Sequence, residues 1–319
     1  MINQRVSIAM ATYNGGRFLR EQLDSLYSQS YQPYEIVVCD DNSKDETQTI
    51  LEEYHQKKGL RYYINDNNLG PTGNFYKAIS LCEGDYVMIS DQDDVWHPNK
   101  VEESLEHMLK IDDGKPSLVS SLCQNIDSEG NHLGPTLPDK PDTQGYKYIF
   151  VTDSSAQGCS LMLNKALIDK VFSFTQNNAT SLEVMYDYFI GMVASLYGNS
   201  YQCGKRLMNY RHHDKNVVAV DRGSRSFITK VKESHKIVHF LSDGIFDACI
   251  IGENIFNKGD EKQEAKELLH KVAAIGKSSS FIKQMEYLFS IPEIDLSDKI
   301  RIASENLVVK MIKLFVKKI

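Results

Sequence analysis

Three carboxylates fall within four residues at Asp91, Asp93 and Asp94, directly after the apolar run Tyr86-Val-Met-Ile-Ser90. The single tryptophan of the chain, Trp96, follows, then Pro98 and Lys100. Like charges this close repel, so they stay together either by facing water as a solvated turn or by sharing a cation. Hard oxygen donors suit Mg2+ or Mn2+, and a six-coordinate ion keeps positions open for phosphate oxygens. A second acid stands out at Asp187, inside the mostly apolar run Met185-Tyr-Asp-Tyr-Phe-Ile190. A carboxylate there is costly unless paired or used, and burial would raise its pKa towards that of a working base. Its plain alternative is a helix-capping aspartate in solvent, and Glu183 is a rival base.

The elements that must position these groups alternate. Val6–Ala11, Glu35–Cys39, Arg61–Ile64 and Tyr86–Ser90 read as short buried strands. Helical spacing follows the first strand from about Phe18 to Ser28, the second through roughly Lys57 with Ser43 or Asp45 as cap, and the third near Phe75–Leu81. The expected fold class is α/β, with a mostly parallel sheet covered by helices. Ligands of open sheets bind outside the carboxyl ends of the strands. Three of the four ends carry polar signals here: Thr12-Tyr13-Asn14, Asp40-Asp41 and Asp91–Asp94. That convergence favours a ligand over a solvated turn. No Gly-x-Gly-x-x-Gly follows the first strand and no Gly-x-x-x-x-Gly-Lys-Ser/Thr occurs, so a nucleotide would rely on a metal to hold its phosphates.

Ser117–Gln124 reads as a further strand, Asp127–Asn131 as a hairpin tip and Gly134–Gly145 as a mobile loop. Gln157–Asn164 reads as a strand whose Gly158 is either a bulge or a point of close substrate approach. From about Asp221 strand signals vanish, and 226–256, 261–275, 279–289 and 297–319 read as helical. The domain expectation is therefore 1–220 catalytic and 221–319 helical. In the last helix Lys310, Lys313 and Lys317 share a stripe opposite an apolar face, which suits either an anionic membrane surface or packing on the same domain.

Composition narrows the class. The 319 residues are 41% hydrophobic and 25% charged, as in an ordinary globular protein. A net charge of -7 argues against nucleic acid as a partner. No apolar run approaches the ~18 residues of a membrane span, and the first residues lack a signal-peptide core. Six scattered cysteines without Cys-x-x-Cys pairing fit a reducing compartment, so a cytoplasmic protein is expected, with peripheral contact on the inner membrane face through residues 306–319. The oligomeric state is not legible.

Several motifs in order resemble family 2 glycosyltransferases: Val6-Ser-Ile-Ala-Met-Ala-Thr-Tyr13-Asn14, Gln29-Ser-Tyr31, Glu35-Ile-Val-Val-Cys-Asp40-Asp41-Asn42-Ser43-Lys-Asp45-Glu-Thr47, Asn68-Leu69-Gly70, Gly84-Asp85-Tyr86 and Asp91-Gln-Asp93-Asp94. Ser90-Asp-Gln-Asp-Asp-Val-Trp96 resembles the rhamnosyltransferase-like branch of bacterial surface-polysaccharide synthesis, as does Tyr210-Arg-His-His213. The resemblance covers about 1–218. It implies a GT-A fold, a nucleotide-sugar donor and a divalent metal, Mn2+ or Mg2+. It implies Ala11, Tyr13, Asp41 and Asp91 on the nucleotide, with Tyr13 and Asp41 at a pyrimidine base and Asp91 near the ribose. Asp93 would bind the metal, with His213 a further ligand, and Arg211 or Lys215 would offset charge on the leaving diphosphate. Asp187 takes the place of the catalytic base, and Gly158 and Trp96 lie on the acceptor or donor-sugar side. Asn42 stands where glycine is commoner, and a short polar residue tolerates the same left-handed turn.

The function implied is inverting transfer of a sugar, rhamnose from dTDP-rhamnose first and a UDP-hexose second, to a glycan or lipid-linked glycan acceptor. A dinucleotide-dependent oxidoreductase is disfavoured by the missing glycine fingerprint. A nucleotidyltransferase is disfavoured by the missing Gly-rich, Arg-containing opening loop. A non-catalytic nucleotide- or polysaccharide-binding module is the remaining rival.

Overall fold

In a computed structural model the chain divides into two units, Met1–Ala219 and Val220–Ile319. The structure describes residues 4–134, 139, 142–144, 157–175 and 186–214, all in the first unit. The helices expected beyond Asp221, the membrane-facing stripe and Glu183 lie outside the described residues.

The chain opens with β1 (Val6–Thr12), α1 (Gly16–Tyr27), β2 (Glu35–Asp40), α2 (Thr47–Lys58), β3 (Arg61–Ile64), α3 (Gly70–Ser80) and β4 (Tyr86–Ser90). It continues through β5 (Val95–Trp96), α4 (Lys100–Ile111), β6 (Ser117–Ile126), β7 (Thr143–Gln144), a 3-10 turn (Gly158–Ser160) and β8 (Leu161–Asn164). Then come α5 (Lys165–Thr175), α6 (Tyr186–Tyr197) and β9 (Asn199–Arg211). Among the described residues these strands form one sheet in the order β3-β2-β1-β4-β8-β6-β9-β5, with β7 beside β9.

β3, β2, β1 and β4 are parallel neighbours, as the alternation of strands and helices predicts. β1 and β2 are almost wholly buried and apolar because helices cover both faces. The parallel character stops at β4: β8 joins it antiparallel, β6 pairs antiparallel with β8, and β9 runs parallel to β6. In α1, Phe18, Leu19, Leu23 and Leu26 turn one stripe inward at helical spacing. Fully burying such a leucine stabilises the fold by roughly 1.5–3 kcal/mol. The three leucines meet Ile8, Met10, Val38 and Met88 in the main core.

The first helices match expectation within two residues at most ends, except that α3 begins earlier, at Gly70 with Pro71 in its first turn. The N-cap position of α2 is Glu46, whose side chain makes no capping bond; Asp45, one residue earlier, accepts from Thr47 N at 3.0 Å and from Gly16 N at the start of α1 at 3.0 Å. The hairpin tip forms as read, with Asp127 N donating to Asn131 O at 2.8 Å. The structure adds α4, α5, β5 and the 13-residue β9, none of which the pattern reading contains. It also turns the start of the Gln157–Asn164 strand into a 3-10 turn.

Candidate active site

Register places the polar strand ends together. Thr12 pairs with Asp40 and Met10 with Ser90, so β1, β2 and β4 finish on one edge of the sheet. Two of the loops there are tied by one amide: Tyr13 N donates to Gln92 Oε1 at 2.8 Å, and Gln92 Nε2 donates to Tyr13 O at 3.2 Å. The amide passes so close that a Cβ on Gly15 would lie 2.1 Å from Gln92 Oε1, so any side chain there would have to push the amide aside. Tyr13 itself stays 51% exposed at the rim, and Ala11 is partly exposed at the end of β1.

Asp41 is buried beneath this edge. Its carboxylate accepts from Asn65 Nδ2 at 2.8 Å, Leu69 N at 2.7 Å and Gly70 N at 2.9 Å, closing the N-terminus of α3. These three donors leave one lone pair on Oδ2 for a further partner. Asn42 adopts a φ of 63°, the left-handed conformation expected of its turn.

The acidic loop is completed from the far end of the chain. β5 pairs antiparallel with β9, Val95 against Asn209 and Trp96 against Met208. That pairing delivers the end of β9 to the carboxylates, and His213 Nε2 lies 2.7 Å from Asp93 Oδ2. Phe18 flanks the imidazole, ring centroids 5.0 Å apart. Asp94 is fully buried, with Oδ1 accepting from Arg211 N at 3.1 Å and Oδ2 lacking a hydrogen-bond partner. Burial, then the charges of Asp91 and Asp93, holds its carboxyl well above the usual range. Burial and the neighbouring Asp93 likewise push Asp91 up to about 7. The charge of Asp187, in the first turn of α6, adds to that shift and so reaches the same cluster.

Crowded acids, an orphaned buried oxygen and an imidazole beside a carboxylate make a donor set that fits a hard or borderline divalent cation. Asp91 and Asp94 also lie with Cys159 in a group whose ligand atoms are within 4.8 Å of one another.

Three expected site residues are placed elsewhere. Trp96 is 2% exposed and belongs to the core instead of the sugar side. Its indole Nε1 reaches the Gln22 oxygen at 3.2 Å when that amide is turned to donate to Asp94 O, and burial of so large a ring explains the placement. Arg211 does not face a leaving diphosphate. Its buried guanidinium donates from Nε to Asp93 O at 2.8 Å, pairs with Glu21 at 2.6 Å, reaches Asp127 O and Ser128 O, and stacks over Phe18. It fixes the backbone that carries Asp93. Gly158 allows close approach of Tyr186, not of substrate: a Cβ there would lie 1.9 Å from the Tyr186 hydroxyl. Because Tyr186 precedes Asp187, this glycine sets where the acid stands.

Sequence reasoning missed Lys100. Its ammonium is fully buried under the acids, donates to Cys159 O at 2.6 Å and lies 3.6 Å from the Trp96 ring centre. Burial lowers its pKa to about 8, opposed by the charges of Cys159 and Asp94. A signal existed, since a cation in the first residue of a helix works against the macrodipole.

A family profile described as glycosyl transferase family 2 matches residues 7–172. An uncharacterized glycosyltransferase of Rickettsia typhi is 26% identical over 292 residues, 90% of this chain and 85% of that protein. A Shigella flexneri protein named dTDP-rhamnosyl transferase RfbG is 26% identical over 256 residues, covering 74% of this chain and 86% of its own. The crystal structure of S. aureus TarS in complex with UDP-GlcNAc superposes with a TM-score of 0.56 at 16% identity, covering 94% of this chain and 79% of that one, and so shares the fold.

Proposed function

The chain belongs to glycosyl transferase family 2, and from that premise we propose that it transfers rhamnose from dTDP-rhamnose, with inversion, to a glycan or lipid-linked glycan in bacterial surface-polysaccharide synthesis. The observation that carries this reading is the 2.7 Å contact between His213 and Asp93, made beside Asp91 at the strand ends where a nucleotide sugar would lie. The similarity to RfbG supports the rhamnosyl donor. A UDP-hexose is the second reading, since the fold neighbour TarS is described with UDP-GlcNAc.

Asp187 takes the proton of the acceptor hydroxyl as that oxygen attacks the anomeric carbon and the bond to the nucleoside diphosphate breaks. One displacement inverts the centre, so no second nucleophilic carboxylate is needed. Tyr13 and Ala11 border the base, Asp41 acts there through the lone pair that its three hydrogen bonds leave, and Asp91 meets the ribose. Asp93 and His213 would hold a divalent cation, which supplies charge neutralisation at the departing diphosphate. The imidazole favours Mn2+ over Mg2+ for that place. Lys100 offsets part of the negative charge from beneath. No helix among the described residues is long and apolar enough to cross a membrane. Contact with the membrane surface is assigned to residues 306–319.

The test is transfer and thermal shift with dTDP-rhamnose, UDP-glucose and UDP-GlcNAc, each with Mn2+, Mg2+ or chelator. The expected result is turnover of dTDP-rhamnose that chelator abolishes. Preference for a UDP-hexose selects the second reading. Binding without turnover or donor hydrolysis under every condition leaves a binding module and ends the transferase assignment.

A further inference from the structure

Away from the candidate active site, a second set of ligand-bearing side chains gathers beside the middle of β9. His107 of α4, Cys203 of β9 and Asp142, just ahead of β7, place their ligand atoms within 4.8 Å of one another. Cys203 is about eight residues before Arg211, roughly 25 Å along an extended strand.

Each member is held as a ligand should be. His107 is 7% exposed, and its Nδ1 has no hydrogen-bond partner although it is buried. That nitrogen faces Asp142 Oδ2 at 4.0 Å, too long for a hydrogen bond. An ion about 2.0–2.2 Å from each atom would occupy the gap after a small contraction. Burial keeps the imidazole pKa below its ordinary value, so it is neutral near pH 7, with a lone pair to give. Asp142 is fixed from both sides, accepting from Gly204 N at 2.8 Å and Tyr201 Oη at 2.6 Å. These bonds hold its carboxyl below the usual range, and the group reaches solvent, which gives an ion a way in. Tyr201 also stacks on His107 at 5.1 Å, so one side chain orients two of the three candidates.

Cys203 is fully buried and its thiol is pushed up by that burial. It sits where the pairing of β6 with β9 slips: Ser121 faces Cys203, but Leu122 faces Arg206. The extra residues, Gly204 and Lys205, form an irregularity of the kind that re-aims side chains beside functional sites. Glu103, paired with Lys205 at 2.8 Å, and Lys110 are the other charges felt at His107.

We propose that His107, Asp142 and Cys203 form a second cation site, distinct from the cleft, which takes a borderline-soft divalent ion, Zn2+, with a water in the fourth position. Nitrogen, oxygen and sulfur donors in one group suit Zn2+ better than Mg2+ or Ca2+. Binding converts the Cys203 thiol to thiolate and releases its proton to solvent; no redox change is involved. The bound ion ties Asp142 to α4 and β9, beside the bond from Arg206 N to Asp139 Oδ1 at 3.0 Å.

The full chain, stripped with chelator and titrated with Co2+, tests this. The expected result is a near-ultraviolet thiolate-to-cobalt charge-transfer band, saturating at one ion per chain and removed by competing Zn2+. Cys203→Ser abolishes it, and Asp142→Asn, checked by its melting curve, weakens Co2+ binding by about 10- to 100-fold. Asp93→Asn leaves the band unchanged. The absence of a band in the unaltered protein overturns the proposal. So does a band that survives Cys203→Ser, whichever other cysteine supplies it, or one that Asp142→Asn leaves at full affinity in a variant whose melting curve is unaltered.

Discussion

His213 Nε2 and Asp93 Oδ2 meet at 2.7 Å across 120 positions of sequence, and the short antiparallel pairing of Val95–Trp96 with β9 is what brings them there. The contact makes the acidic loop depend on a strand laid down more than a hundred residues later. His213→Ala is therefore expected to weaken the cation affinity of the cleft by about 10- to 100-fold. Activity against Mn2+ concentration checks this, and recovery at high Mn2+ separates lost affinity from a lost fold.

Asp187→Asn keeps the shape of the first turn of α6 and removes the capacity to take a proton. Transfer should fall by about 10²- to 10⁴-fold while donor binding persists. Single-turnover transfer together with a thermal shift on donor addition measures both, and near-normal turnover would reject Asp187 as the base.

Gly158→Ala drives a methyl into the Tyr186 ring. Relief requires Tyr186 to move, and overpacking of this kind costs typically ~1–3 kcal/mol. A lower Tm should accompany a kcat loss larger than any change in donor affinity, because the displaced residue adjoins Asp187. A variant with unaltered Tm and kcat would show that α6 does not depend on this contact.

The cleft sets a pH dependence in the cation-free protein. Asp91 has its pKa raised to about 7 in the fold against an ordinary carboxylate value of 3.8. Between those limits the folded chain binds more protons than the unfolded one, so stability falls as pH rises from about 4 to 7. Chelated protein should melt higher near pH 5 than near pH 7.5, and Mn2+ should reduce the difference because it favours the ionised acids. Lys100→Met should cost more stability at the upper pH, where it leaves ionised acids without their buried cation. Melting curves at both pH values decide the point.

The parallel half of the sheet was legible because buried parallel strands are short apolar runs that end abruptly on polar residues, as Val38-Cys39-Asp40-Asp41 does. β9 was not. Asn199-Ser-Tyr-Gln-Cys-Gly-Lys-Arg-Leu-Met-Asn-Tyr-Arg211 mixes buried and exposed positions without clean alternation, and its irregularity at Gly204 and Lys205 breaks the period. Asp93 and His213 were paired through family resemblance, since nothing in their spacing brings them together. Trp96 and Arg211 were misplaced for a common reason. Sequence order sets them beside functional acids, but their size and donor count are met by the interior. Lys100 escaped because Glu102 and Glu103 in the same helical turn give it the look of an ordinary surface charge.

The amide of Gln92, bound to both the nitrogen and the oxygen of Tyr13, makes two loops one mechanical part. Changes that reshape the rim where a base would rest are carried into the carboxylates, and the reverse holds too. A substitution at Gln92 or Gly15 is therefore felt in both loops at once, at the exposed ring of Tyr13 and at the carboxylates that flank Gln92.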